Sequence, residues 1–118
     1  MDLNELREPI TVTDSDLTGS SFSGVAMRDV RFEETRMSAA RFDHIDLSGA
    51  IFARSKLAGA RFANADLSGA HIENVTLADA TIQNASLAGV AISDCDLTGM
   101  RIDGHLVSDL IAAYRKTV

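Results

Sequence analysis

From Leu17 to Ile102 every fifth residue is a large apolar one, through eighteen consecutive positions without exception. The run is Leu17, Phe22, Met27, Phe32, Met37, Phe42, Leu47, Phe52, Leu57, Phe62, Leu67, Ile72, Leu77, Ile82, Leu87, Ile92, Leu97 and Ile102. A period of five suits neither an α-helix, with 3.6 residues per turn, nor a strand that alternates every two. On a helix a five-residue step turns about 500°, so successive members drift around the axis and share no face. The backbone must present the same face every five residues. A square coil does so: each pentapeptide is one side, four sides close a turn, and the central residue points inward. A repeat of this kind decides the architecture ahead of local propensity.

The other phases agree. Two residues before each large one stands a smaller one, in most units Ala, Ser, Thr, Val or Cys, as at Ser15, Thr35, Ala65, Val75 and Cys95. Two residues after it come all eight glycines of the chain: Gly19, Gly24, Gly49, Gly59, Gly69, Gly89, Gly99 and Gly104. Asp29, Asn64, Asn74, Asp79, Asn84 and Asp94 fill six more of these slots. Gly and Asn are what corners with positive φ select, and Asp tolerates them. The exceptions are Glu34, Ala39, His44 and Arg54.

Units such as Ala65-Asp66-Leu67-Ser68-Gly69 and Ala85-Ser86-Leu87-Ala88-Gly89 resemble the A(D/N)LxG consensus of the pentapeptide-repeat family. The resemblance covers residues 15–104. It implies an all-β solenoid, a right-handed quadrilateral β-helix of about 4.5 coils, with four pentapeptides per coil. At about 4.8 Å per coil the body would be roughly 22 Å long. Four walls follow from the register. The first carries Leu17, Met37, Leu57, Leu77 and Leu97; the second Phe22, Phe42, Phe62, Ile82 and Ile102; the third Met27, Leu47, Leu67 and Leu87; the fourth Phe32, Phe52, Ile72 and Ile92. Walls of Leu or Met thus alternate with walls of Phe or Ile. All eighteen side chains are expected to be buried.

Open coils are sheet edges and need covering. Residues 1–14, with the single proline Pro9, are expected to be an N-terminal cap or lead-in, although Ile10 and Val12 fall in the inward register. Residues 105–118 are expected to form a C-terminal capping helix. Ser108 would be its N-cap, Asp109 would suit the first turn, and Arg115 and Lys116 the last. Leu106, Leu110, Ile111 and Tyr114 give it an apolar stripe. That stripe covers the last coil and, as the family resemblance implies, can also form a homodimer contact.

One domain fits 118 residues. The N-terminus is acidic and has no apolar run of signal-peptide type, and no stretch is long enough to span a membrane. The single Cys95 fits no disulfide scaffold, occupies an inward slot and suits the cytoplasm. His44, His71 and His105 fall in different phases on different coils. Asp46 and Asp66 stack in adjacent coils, but on a flat wall, which reads as a solvated face. No nucleophile, metal or phosphate-binding set emerges. The sequence therefore predicts a non-enzyme with no cofactor and no metal.

What remains is the surface. Net charge is −6. The family resemblance implies one partner class, since some members resemble a DNA duplex in size and charge and bind DNA gyrase or topoisomerase IV. The charge map is polarised instead. Arg36, Lys56, Arg41 and Arg61 form a basic corner between the first and second walls. Asp46, Asp66, Glu33, Glu34 and Glu73 lie on the third and fourth. On the fourth wall Ile51 takes an outward slot between Arg31 and His71, with Ala53 beside it, and is a candidate anchor for a partner. The leading expectation is a rigid protein-interaction module with an unknown protein partner; the alternative is a DNA-mimic regulator. A nucleic-acid partner is not expected, because four basic side chains come with no exposed aromatics.

Overall fold

The computed structural model describes residues 10–111. Eleven short strands run through them: β1 (Thr11–Thr13), β2 (Ser21–Ser23), β3 (Arg31–Glu33), β4 (Arg41–Asp46), β5 (Ile51–Ala53), β6 (Arg61–Asp66), β7 (His71–Glu73), β8 (Thr81–Gln83), β9 (Ala91–Ser93), β10 (Arg101–Ile102) and β11 (His105–Leu106). Odd-numbered strands stack in parallel as β1-β3-β5-β7-β9, and the other sheet runs β11-β10-β8-β6-β4-β2. Each residue pairs with the one twenty positions on, as in Phe22↔Phe42↔Phe62 and Phe32↔Phe52↔Ile72. The chain is a right-handed quadrilateral β-helix of about five turns.

The two strand sheets are the Phe/Ile walls. The Leu/Met walls are joined mainly by single bridges, Asp16–Arg36–Lys56–Thr76–Asp96 on the first, with Ala26–Asp46 and Asp66–Ser86 on the third, where β4 and β6 also run on to pair Ile45 with Ala65 and Asp46 with Asp66. The alternation in the sequence therefore marks two kinds of corner. After each Leu or Met the chain closes a β-turn, the N–H of the third residue on donating to the carbonyl of the Leu or Met at 3.0–3.3 Å, as Ala50 does to Leu47. These turns have positive φ at their third position, the type II pattern. Gly49 and Gly69 sit there at φ +71°. After Phe22, Phe32, Phe52, Ile72, Ile82 and Ile92 the corner is an open bend, whereas β4 and β6 run on through His44 and Asn64.

The core is one thin column. Met27, Phe32, Met37, Phe42, Leu47, Phe52, Leu57, Phe62, Leu67, Ile72, Leu77 and Ile82 are buried. Phe22, Phe42 and Phe62 stack face to face at 5.0 and 4.7 Å, and Phe32 stacks on Phe52 at 5.1 Å. Phe52 meets Phe42 and Phe62 edge-on across the coil at 6.4 and 6.2 Å. Among the described residues Thr35 and Ser55 are the buried polar ones, and their hydroxyls bond each other at 3.0 Å.

Three expectations need correction at the ends. Burial of all eighteen fails there: Leu17, Phe22, Leu87, Leu97 and Ile102 are half-buried, and Ile92 is 38% exposed. Each stands in an end coil of the described residues, where stacking is less complete than in the middle. The N-terminal lead-in is shorter than residues 1–14, because β1 already pairs with β3 and Val12 stands in register with Phe32. The capping helix does not begin at residue 105. His105 and Leu106 form β11, which turns back antiparallel on β10 and covers that edge, and helix begins at 107. Ser108 lies inside it rather than at its N-cap. Val107, one more step of five, packs against the core and donates its N–H to the Met100 carbonyl at 3.0 Å.

Candidate functional site

Walls of this kind offer no cleft, so the candidate site is an outer surface. Its geometry follows from the register: outward side chains stand in columns, one coil apart, about 4.8 Å. In the basic corner, Arg36 bridges Lys56 on the first wall, and Arg41 pairs with Arg61 on the second. The structure thus brings the four predicted cations into a two-by-two block across one corner. All four are exposed, and none makes an ion pair or side-chain hydrogen bond among the described residues.

Other arginines are engaged. Arg28 Nε donates to Asp46 Oδ2 at 2.6 Å. Arg54 Nη2 donates to Glu33 Oε1 at 2.7 Å and its Nε faces Glu34 Oε1 at 3.5 Å. The third and fourth walls are therefore partly neutralised by direct ion pairs, while the basic corner has none among the described residues, only Asp16 one coil from Arg36.

The fourth-wall anchor is weaker than the sequence predicts. Arg31, Ile51 and His71 do stack in one column and Ala53 lies between Glu33 and Glu73. Ile51 and Ala53, however, are half-buried, with exposed Arg31 and His71 on either side. Mid-column, an apolar side chain is flanked above and below and presents little free surface. At the C-terminal end Leu106 is half-buried in β11, whereas Leu110 and Ile111 are 44% and 41% exposed. The four-residue stripe is thus divided: Leu106 covers, Leu110 and Ile111 do not, and Tyr114 lies outside the described residues.

Asp46 and Asp66 are more than a solvated face. Asp46 Oδ1 accepts from the N–H and hydroxyl of Ser48 at 3.0 and 2.7 Å, and Asp66 does the same with Ser68 at 2.9 and 2.6 Å. Asp16 with Thr18 and Asp96 with Thr98 repeat the arrangement. Each carboxylate pins a closed turn. The signal was in the sequence as Asp-Leu-Ser/Thr-Gly, repeated four times. Partial burial pushes the Asp46 carboxyl up, but the bonds from Arg28 and Ser48 outweigh it and hold the group below the ordinary value. The Thr18 hydroxyl and amide lower Asp16, and those of Thr98 lower Asp96. The Asn64 amide, with His44, lowers Asp43.

Cys95 is half-buried, its thiol directed at the Ser93 and Ile72 carbonyls at 3.2 and 3.6 Å; burial raises it above the ordinary thiol value, away from thiolate chemistry. His44 stands at a corner beside Asp43 at 3.1 Å, His71 in β7 and His105 in β11, so the three do not converge. No group of three or more His, Cys, Asp or Glu suited to a metal occurs among the described residues. An open hollow near the N-terminal end is lined by Asp14, Ser15, Asp16, Glu34 and Arg36.

The family model for pentapeptide repeats matches eight copies in this chain, over residues 35–74 and 55–99. No curated protein matches the chain. Among solved structures, a pentapeptide repeat protein from the Arabidopsis thaliana thylakoid lumen is 28% identical over 86% of this chain and 75% of its own, with a TM-score of 0.50. HetL, a pentapeptide repeat protein involved in heterocyst differentiation regulation in the cyanobacterium Nostoc sp., is 25% identical, with a TM-score of 0.42. The match covers 81% of this chain, which spans about half (48%) of HetL. QnrB1, a plasmid-mediated fluoroquinolone resistance protein, is 15% identical over 100% of this chain and 93% of its own, with a TM-score of 0.48.

Proposed function

The chain belongs to the pentapeptide-repeat family, and on that premise we propose that it is a non-catalytic protein-interaction module of the cytoplasm. The observation that carries this reading is the twenty-residue ladder. It fixes outward side chains in rigid columns, as in Arg41↔Arg61 and Ile51↔His71, on walls without a cleft. Preformed surfaces of this kind bind with little ordering cost. Pull-down from native cytoplasm with the full chain tests it; recovery of no protein above a denatured-bait control would sink the reading.

A second reading, a DNA-mimic regulator of DNA gyrase or topoisomerase IV, has the net charge of −6 in its favour. The unpaired cations at Arg36, Arg41, Lys56 and Arg61 oppose it, because a surface built for DNA repels them. A supercoiling assay separates the two: weak or no inhibition is expected, and strong inhibition at micromolar protein would put the mimic first. The module is also proposed to pair with a second copy through its C-terminal end, where Ile92, Leu110 and Ile111 are the exposed large apolar residues among those described.

A further inference from the structure

Two departures from the repeat coincide in the middle coils. The first is charge. The outward column of the first wall reads Asp16, Arg36, Lys56, Thr76, Asp96, and that of the second reads Ser21, Arg41, Arg61, Thr81, Arg101. Like charges directly opposite in a ladder are destabilising, and here two such pairs adjoin with no ion pair among the described residues, the nearest carboxylate in the column being Asp16, one coil from Arg36. The second departure is in the backbone. The turn that joins the two columns runs from Met37 to Ala40 and has Ala39 at φ +59°. At the same corner the other coils hold Gly19, Gly59, Asp79 and Gly99. Ala39 is exposed, so its methyl costs backbone strain and fills no core. The coils above and below impose this angle, and Ala39 with Gly59 leaves the corner low, without a long side chain standing over it.

We propose that this corner is the docking surface for an acidic, extended segment of a partner protein. Its carboxylates pair with Arg36, Arg41, Lys56 and Arg61, and its backbone lies over the small residues Ser38, Ala39, Ala58 and Gly59. The assignment rests on the interaction-module reading and names the chemistry of the partner. Three of the four cations are arginines, whose planar forks suit carboxylates. The block is also bounded. Asp16 and Asp96 close the first column at its two ends, and Asp43 lies beside the second. A nucleic acid, with phosphates continuing in both directions, would run into these carboxylates; a short segment would not. The five phenylalanines all occupy the inward register, which leaves no aromatic platform for bases among the described residues.

The test uses the full chain and a fluorescein-labelled deca-glutamate peptide, followed by anisotropy at low salt, beside a labelled thymidine oligonucleotide and a short DNA duplex. The double variant Arg36→Gln with Arg61→Gln is compared with Arg28→Gln with Arg54→Gln, which removes the same charge elsewhere. Thermal melts confirm that both fold. Wild type should bind the peptide more tightly than either nucleic acid, and the corner variant should lose about tenfold while the control stays within about twofold. Equal loss in the two variants, tighter binding of a nucleic acid, or no peptide binding would overturn the assignment. In pull-downs, a partner retained equally by wild type and the corner variant overturns the corner while leaving the interaction module standing.

Discussion

Ala39 shows what each corner demands of its residue. Its φ of +59° is shared by neighbours with no intrinsic liking for that region, Glu34 at +53° and Arg54 at +50°. The coils above and below impose the angle. Gly59, one coil on, has room for a Cβ, with nothing nearer than the Ala39 nitrogen at 4.0 Å, so the cost at this corner is conformational rather than steric. Ala39→Gly should therefore stabilise the fold by about 1 kcal/mol and raise Tm by about 4 °C in a thermal melt. An unchanged Tm would show that the corner is not strained. The pinned carboxylates give a second prediction. Asp16, Asp43, Asp46 and Asp96 are all held below their ordinary value of 3.8. A carboxyl lowered by folding stabilises the native state above its unfolded pKa and ceases to as pH falls through the folded one. Melts should be flat in this respect from neutral pH to about 4 and decline below it. Asp46→Asn, which keeps the shape and loses the charge, should flatten part of that decline.

At the scale of the wall, burial and stacking dominate. Leu67 is 1% exposed and sits between closed turns, so Leu67→Asp puts a charge into a core one side chain wide and should unfold or aggregate the protein. Phe42→Ala removes a ring stacked on both sides and met edge-on by a third, and should cost about 3–5 kcal/mol by denaturant melts. An intact Tm in either variant would contradict the packing. The four walls, their register and the alternation of Leu/Met with Phe/Ile were legible in the sequence, because the period admits one backbone. That the alternation separates closed turns from strands was not, since Leu and Phe are equally apolar in the pattern. Leu106 was misassigned for a related reason. Its spacing to Leu110 is helical, but the open edge of β10 needs a partner, and edge demand does not show in periodicity. At the surface, the cations of the basic corner could be placed from residue numbers alone. Their lack of partners could not, because Arg28 and Arg54 look the same in sequence yet find Asp46 and Glu33.

Among the described residues the molecule is closed along its sides, with β11 covering the edge of β10 while β9 stays open. β9 has one neighbour among the described strands, and Ile92, Leu110 and Ile111 are exposed at that end. Deleting residues 106–118 removes the Leu106 half of β11 and the Val107 bond to Met100, so the last coil should melt first. If the proposed pairing of copies is correct, light scattering should show a dimer for the full chain and a monomer for the truncation; a full chain monomeric at high concentration would end that proposal. The twenty-residue ladder has a further consequence, for how such a chain can change length. Adding twenty residues inserts a coil and leaves every column whole. Adding five turns all that follows by a quarter, setting Leu walls over Phe walls and closed turns over bends. Adding ten turns it by half, so that like walls still meet. Two consensus pentapeptides inserted after Gly49 should thus be accepted with a cooperative melt, while carrying Lys56 and Arg61 to the far side of the rod from Arg36 and Arg41. Chains of this design can vary in length only by set steps, and each half-turn step rewrites which surface residues are neighbours without touching the core that holds them.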